Sequence, residues 1–292
     1  MSTTTVPVRT LRQSKKGNER LQAILTHVVL LVGTVIVLVP LAWMLSTSLK
    51  VPKQVQKFPP VWIPNPIVFS NYVRAVTIFP VPFWVFIRNS LFLSLSNVVG
   101  SIMSNSIVAF AFARLRFRGS RILFLVALSS MMLPQQVTMI PLFILFSKLG
   151  WVNTYKPLIL PQFLCNAYFI FLMRQFYSTI PRELDDAAKI DGCSILGLFF
   201  RIMLPLAKPA IGIMAIFEFT GSWNWFLWPL IYLSKMETFP LSIALQQLRA
   251  AHGVLWSELM VVSFIAMLPP LVLFFIAQKT YIQGIVMTGV KG

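Results

Sequence analysis

Four of the eight carboxylates in this chain, Glu183, Asp185, Asp186 and Asp191, crowd into one stretch, Pro181 to Pro209, reading PRELDDAAKIDGCSILGLFFRIMLPLAKP. Long apolar runs flank it on both sides. Acids so clustered suit charge-assisted contacts with a basic partner, and no His stands among them to complete an acid–base pair. A further acid, Glu218, lies inside an apolar run, where a carboxylate is costly and by default functional. The remaining residues offer no catalytic constellation. His27 and His252 are far apart, and Cys165 and Cys193 make no disulfide framework. Gly192–Gly197 and Gly284–Gly289 have the glycine spacing of a nucleotide loop, but Leu198 and Val290 stand where its Lys should follow. No catalytic residue, metal site or cofactor is expected in this chain, so any ATP must be bound elsewhere.

The acidic stretch carries the signals of a helix–turn–helix hairpin. Glu183, Asp185 and Asp186 fall in the first turn after Pro181, where acids complement the positive end of the helix dipole. Leu184, Ala187, Ala188 and Asp191 share one face at helical spacing, and most of that face is small. Gly192 supplies positive φ to end the helix. Ser194 can cap a second helix that runs through Ile195–Ile202 and stops before Pro205.

Asp186-Ala187-Ala188, three residues, Gly192, nine residues, Ile202, one residue, Leu204-Pro205 resembles the EAA signature of the membrane subunits of ABC importers. The departure is Asp186, where that family usually has Glu. Flanking residues Ile180-Pro181 and Ile190-Asp191-Gly192, the aromatic run 223–229 and the closing Gly289–Gly292 are similar to the carbohydrate-type branch, the maltose and multiple-sugar permeases. The resemblance implies that the hairpin is a coupling helix docking on a cytoplasmic ATPase through Glu183, Asp185, Asp186, Ala187, Ala188, Asp191, Gly192, Ile202, Leu204 and Pro205. It also implies a second, homologous permease, two ATPase subunits that hold ATP and Mg, an extracytoplasmic solute-binding protein and a sugar-like solute.

The elements that must support this hairpin are apolar. Hydrophobic residues make up 57% of the chain and charged residues 11%, against about 25% charged in a soluble domain. The net charge of +17 is dispersed among apolar runs, so it reads as topology signals and anionic-lipid contacts rather than nucleic-acid binding. The expected fold is all-α and integral to the membrane. After a basic arm, 1–23, come six spans in one permease domain, 24–292: about 24–47, 88–113, 122–146, 157–177, 209–233 and 259–279, with the coupling loop at 181–209. The first is too long for a cleaved signal peptide and reads as a signal anchor. The third contains Pro134 and Pro141 and should be kinked.

Along the second span, Ser90, Ser94, Asn97, Ser101 and Asn105 form one polar stripe. Such a stripe either hydrogen-bonds between packed helices or lines a wet pathway, and the same two readings apply to Glu218 and Asn224. The eight tryptophans fall in or near the outer half of this topology and read as an interfacial belt rather than a sugar platform. With both termini cytoplasmic, sixteen of the twenty-five Lys and Arg lie inside, as does the acidic hairpin. A secondary transporter or channel would accommodate Glu218 and the stripe but leaves the hairpin unexplained. A membrane enzyme acting on lipid-linked sugars would need acid and His clusters that are not seen.

Overall fold

A computed structural model describes the backbone over residues 8–250 and 255–289. His252 and the last three residues, 290–292, therefore lie outside the described residues. Among those described, the chain is helical with no strand. Helix α1 spans Val8–Ser48, so no boundary falls at residue 23: the polar segment before the apolar run continues as helix, being free of proline. The membrane-competent part is Arg20–Ser48. Three further helical stretches are long and apolar enough to cross a bilayer: α2 (Trp84–Arg114), Lys156–Thr179, and Trp256–Gln278 within α11 (Trp256–Gly289).

Two more spans are bent pairs. Helices α3 (Ser120–Ser130) and α4 (Gln135–Lys148) meet at 96°. Pro134 is extended at the start of α4, because its ring bars the helical hydrogen bond, whereas Pro141 is tolerated inside that helix. Past the hairpin helix α6 (Glu183–Ile190), α7 (Ile195–Leu206) turns by 75° into α8 (Lys208–Trp223). A π-helical turn, Leu198–Met203, precedes the bend, where Pro205 removes a donor.

The apolar pattern of 157–177 and 209–233 predicts unbroken helices, and the structure breaks both. A helical turn at Lys156–Ile159 tightens to a 3-10 turn, Leu160–Leu164, before α5 (Ala167–Thr179). Between them Cys165 takes φ +74°, rare for a residue with a Cβ, and Asn166 caps α5 by accepting the Tyr168 N–H at 2.9 Å. Likewise α8 ends at Trp223, and a separate helix α9 (Leu227–Tyr232) follows. Helix α10 (Leu241–Ala250) then leads to α11, which continues through Pro269-Pro270.

Helix α2 is the hub, packed against α5, α8 and the 160–164 turn. Gly100 on α2 admits the Phe163 ring so closely that a Cβ there would lie 2.7 Å from it. One apolar core joins α2, α5 and the hairpin through Phe110, Met173, Tyr177, Ala188, Phe199 and Met203. In the segment after α1, the tetrapeptide Phe69–Tyr72, FSNY, serves the fold. Its buried Asn71 donates to the Ser48 and Lys50 carbonyls, both at 2.9 Å, and so ties the loop to the end of α1.

Candidate functional site

The acidic hairpin is not uniformly solvated. Asp185 and Ala188, three residues apart, turn into the bundle, while Glu183, Leu184, Asp186, Ala187 and Asp191 are exposed. The face shared by Leu184, Ala187, Ala188 and Asp191 in the sequence pattern is therefore divided. Asp185 is thus an internal anchor instead of an outward docking group. Arg114, the last residue of α2, brings Nη1 within 3.3 Å of Asp185 Oδ2. Its Nη2 donates to the Tyr177 and Ile180 carbonyls, each at 2.6 Å, beyond the C-terminus of α5. The Tyr177 carbonyl also takes the Ile180 N–H at 3.3 Å, a long bond, and a cation at a helix C-terminus adds to the hydrogen bonding and suits the dipole. The Arg114 and Asp185 side chains are 2% and 9% exposed. One guanidinium thus fastens α2, α5 and α6 together.

The turn of the hairpin keeps its predicted local form, but the second helix does not stop before Pro205: it passes through the π-helical turn and ends at Leu206. Gly192 has φ +74° and donates to the Lys189 carbonyl at 3.0 Å, while Cys193 N–H reaches the Ala188 carbonyl at 2.8 Å. Ser194 Oγ accepts the Gly197 N–H at 3.1 Å and caps α7. Ile190, Ile195 and Leu196 are exposed around Gly192, and Asp186 pairs only with Lys189 at the surface, 3.0 Å away. A cleft of about 780 Å³ runs between the two hairpin helices past Asp191, Gly192 and Ile202. Leu204 is half-buried in the apolar core and Pro205 is exposed at the bend.

The polar stripe of α2 is buried along its length. Ser90 Oγ accepts the Leu241 N–H at 2.8 Å, and Ser94 is enclosed. Asn97 Nδ2 donates to Ser222 Oγ at 3.0 Å, and Ser222 donates on to Glu218 Oε1 at 2.8 Å. Asn105 Nδ2 donates to the Ser101 carbonyl at 2.7 Å, while its Oδ1 accepts the Asn166 N–H at 2.7 Å. Ser90, Asn97 and Asn105 thus bond to neighbouring segments, while Ser94 Oγ has no partner among the described residues, and Asn105 satisfies a backbone donor that the span break would leave orphaned in an apolar setting.

Immediately behind this stripe, the helix breaks open a cavity of about 660 Å³. Glu218 and Ser222 line it with Gln135, Thr138, Gln162, Cys165, Asn166, Trp225, Trp228 and Tyr232. Gln135 and Thr138 follow the kink expected at Pro134, whereas Gln162, Cys165 and Asn166 were invisible as site residues because the sequence pattern treats 157–177 as one span. Asn224 lies elsewhere, on a separate cavity of about 470 Å³ with Ser242, Gln246 and Arg249. The tryptophans divide too: Trp223 is buried and donates to the Ala266 carbonyl at 2.9 Å, whereas Trp62 and Trp84 are exposed. A uniform interfacial belt is therefore not what the structure has.

Residues 96–286, from the polar stripe through the hairpin to α11, match the family described as binding-protein-dependent transport system inner membrane component. The chain belongs to this family. As such it is the membrane-spanning permease subunit of an ABC importer, and the ATPase activity resides in separate subunits. It is 40% identical over 230 residues to the arabinooligosaccharides transport system permease protein AraQ of Bacillus subtilis (strain 168), covering 78% of this chain and 81% of that one. Among solved structures it is similar to a chain of a bacterial ABC transporter involved in the import of the acidic polysaccharide alginate. That match has TM-score 0.76 and 24% identity, over 95% of this chain and 99% of the other. A second structure, of a bacterial alginate ABC transporter in complex with an alginate pentasaccharide-bound periplasmic protein, matches with TM-score 0.61 at 14% identity, over 89% and 94%.

Proposed function

We propose that this permease forms one half of a pathway for a sugar or oligosaccharide, with the cavity beside Glu218 as its portion of the route. The hairpin lies on the cytoplasmic side, with both chain termini, and docks on an ATPase subunit through Asp186, Ala187, Gly192 and the exposed apolar rim. A second homologous permease, two ATPases holding Mg-ATP and an extracytoplasmic solute-binding protein complete the assembly, set in membrane lipid. Among the relatives' named solutes, arabinooligosaccharides and diacetylchitobiose support a saccharide, while more distant relatives are named for sn-glycerol-3-phosphate.

The observation that carries this reading is that one helix spans both sites. Arg114 at the end of α2 grips the hairpin, and Asn105 and Asn97, about 14 and 25 Å back along the same helix at 1.5 Å per residue, hold the cavity wall. Closure of the ATPases would displace the hairpin as a rigid body. The displacement passes through the guanidinium to α2 and α5, whose bonds to Asn166 and Ser222 border the cavity. An ATP-independent transporter has no use for an exposed hairpin so firmly tied to the bundle.

Ala187→Asp and Gly192→Asp test the docking surface, the first by adding charge to an exposed small residue and the second also by straining positive φ. Both are expected to abolish uptake of labelled oligosaccharide and co-purification of the ATPase, with the permease still present in the membrane. Wild-type uptake by either variant would remove the coupling role.

A further inference from the structure

Three acidic side chains among the described residues are buried: Asp185, Glu218 and Glu258. Two have a guanidinium, Asp185 from Arg114 at 3.3 Å and Glu258 from Arg74 at 3.5 Å. Glu218, 6% exposed, has no Lys, Arg or His within ion-pair distance among the described residues. Its Oε1 takes a hydrogen bond from Ser222, whose hydroxyl Asn97 orients, and the Ser101 hydroxyl lies beside the carboxylate as a second neutral donor. Asn97 is itself fully buried, and its Oδ1 has no partner among the described residues, so the shell around the carboxylate adds acceptor oxygen and no positive charge.

The cavity that Glu218 lines repeats this pattern. Its wall holds amides, hydroxyls and indole rings, and among the described residues neither Lys, Arg nor His is present in it. A cavity of one charge sign with low-dielectric walls focuses its field on whatever enters. We infer that Glu218 makes this half of the pathway a charge filter, open to neutral or amino-bearing saccharides and closed to anionic ones such as uronates and sugar phosphates. A neutral saccharide donates its hydroxyls to the carboxylate and lays its apolar ring faces on Trp225 and Trp228. An anionic group would meet a like charge with no cation to offset it. The filter rests on the proposed reading of the cavity as pathway, and it adds which solutes that pathway accepts.

Cys165 lines the same cavity and serves as a reporter. In the assembled transporter in lipid nanodiscs, with Cys193→Ser removing the other thiol, Cys165 is treated with two methanethiosulfonates of similar size. One carries a trimethylammonium group and the other a sulfonate. The ratio of their rates, normalised to a small free thiol, is expected to favour the cation by about tenfold, as a nearby fixed carboxylate in a partly desolvated site requires. It should fall to near one in Glu218→Gln. Equal ratios in the two proteins, with Cys165 reacting in both, would overturn the filter and leave the pathway standing. Resistance of Cys165 to both reagents, with and without ATP, would instead overturn the pathway reading and the filter with it.

Discussion

Two buried carboxylates on either side of α2 have opposite surroundings, and the contrast separates the mechanical from the selective part of this permease. Asp185 meets a guanidinium that is itself bonded to two carbonyls, so the carboxylate faces an opposite charge, although Asp185 Oδ1 and Arg114 Nε have no further partner among the described residues. Glu218 meets a hydroxyl aligned by an amide, with no cation within ion-pair distance among the described residues, and its carboxyl faces the cavity. A matched ion pair holds geometry and resists being pulled apart; an unmatched charge in a cavity is available to a solute. Burial alone does not distinguish the two, since both residues are almost fully enclosed. The neighbour's charge does.

The largest expected effect comes from breaking the matched site. Arg114→Ala leaves the buried Asp185 carboxylate without its cation and the Ile180 carbonyl without the guanidinium donor, a loss of about 3–5 kcal/mol of stability when one partner of a buried pair is removed. Thermal unfolding in detergent should show it as a marked drop in midpoint. Replacing both partners, Arg114→Leu with Asp185→Leu, removes the stranded charge and should recover much of that stability. Uptake should stay lost in the double variant, because the hairpin no longer grips α2. Wild-type uptake by a refolded double variant would reduce the pair to packing and erase the contrast with Glu218.

How far the sequence reaches follows the same division. The hairpin was legible because its signals are local: acids in a first turn, Gly192 where the chain needs positive φ, and Ser194 three residues before the N–H that it caps. The inward turn of Asp185 was not, since a run of acids reads as a solvated face and its partner lies 71 residues away. The polar stripe on α2 was legible by period, but its bonding to Asn166 was hidden because the break signal in LPQFLCNAYFIF is Pro161, four residues before the turn at Cys165. Cys165 takes the φ that sequence reasoning reserves for glycine. Asn224 looked like a neighbour of Glu218 from its place in the chain, yet the end of α8 at Trp223 turns it to another cavity.

An intermediate effect is expected where the two regions share a wall. Asn105→Ala removes the acceptor for the Asn166 N–H and strands that donor in an apolar setting, at a cost of about 1–3 kcal/mol. The unfolding midpoint should fall by less than in Arg114→Ala. The Cys165 thiol should also react faster with the cationic reagent, because the break it occupies has lost its tether to α2. An unchanged rate with a lowered midpoint would confine Asn105 to stability and detach the cavity from the helix that carries the joint.

The smallest effect on stability belongs to the outward acid. Asp186 and Lys189 form their pair with both side chains about two-thirds exposed, at 69% and 67%. Water screens such a contact and the side chains lose entropy in making it, so Lys189→Ala should change stability by no more than about 0.5 kcal/mol. Its effect on coupling has the opposite logic to that of Arg114. Removing Lys189 frees the Asp186 carboxylate for a basic residue of the ATPase, so the variant should bind the ATPase at least as well as the parent and keep uptake. Asp186→Asn, equally mild in stability, should weaken ATPase binding in a salt-dependent way. If Asp186→Asn bound the ATPase as tightly as the parent at low salt, docking would rest on the exposed Ile190, Ile195 and Leu196 alone, and the acids of this hairpin would divide into one that anchors it and others that merely keep it in water.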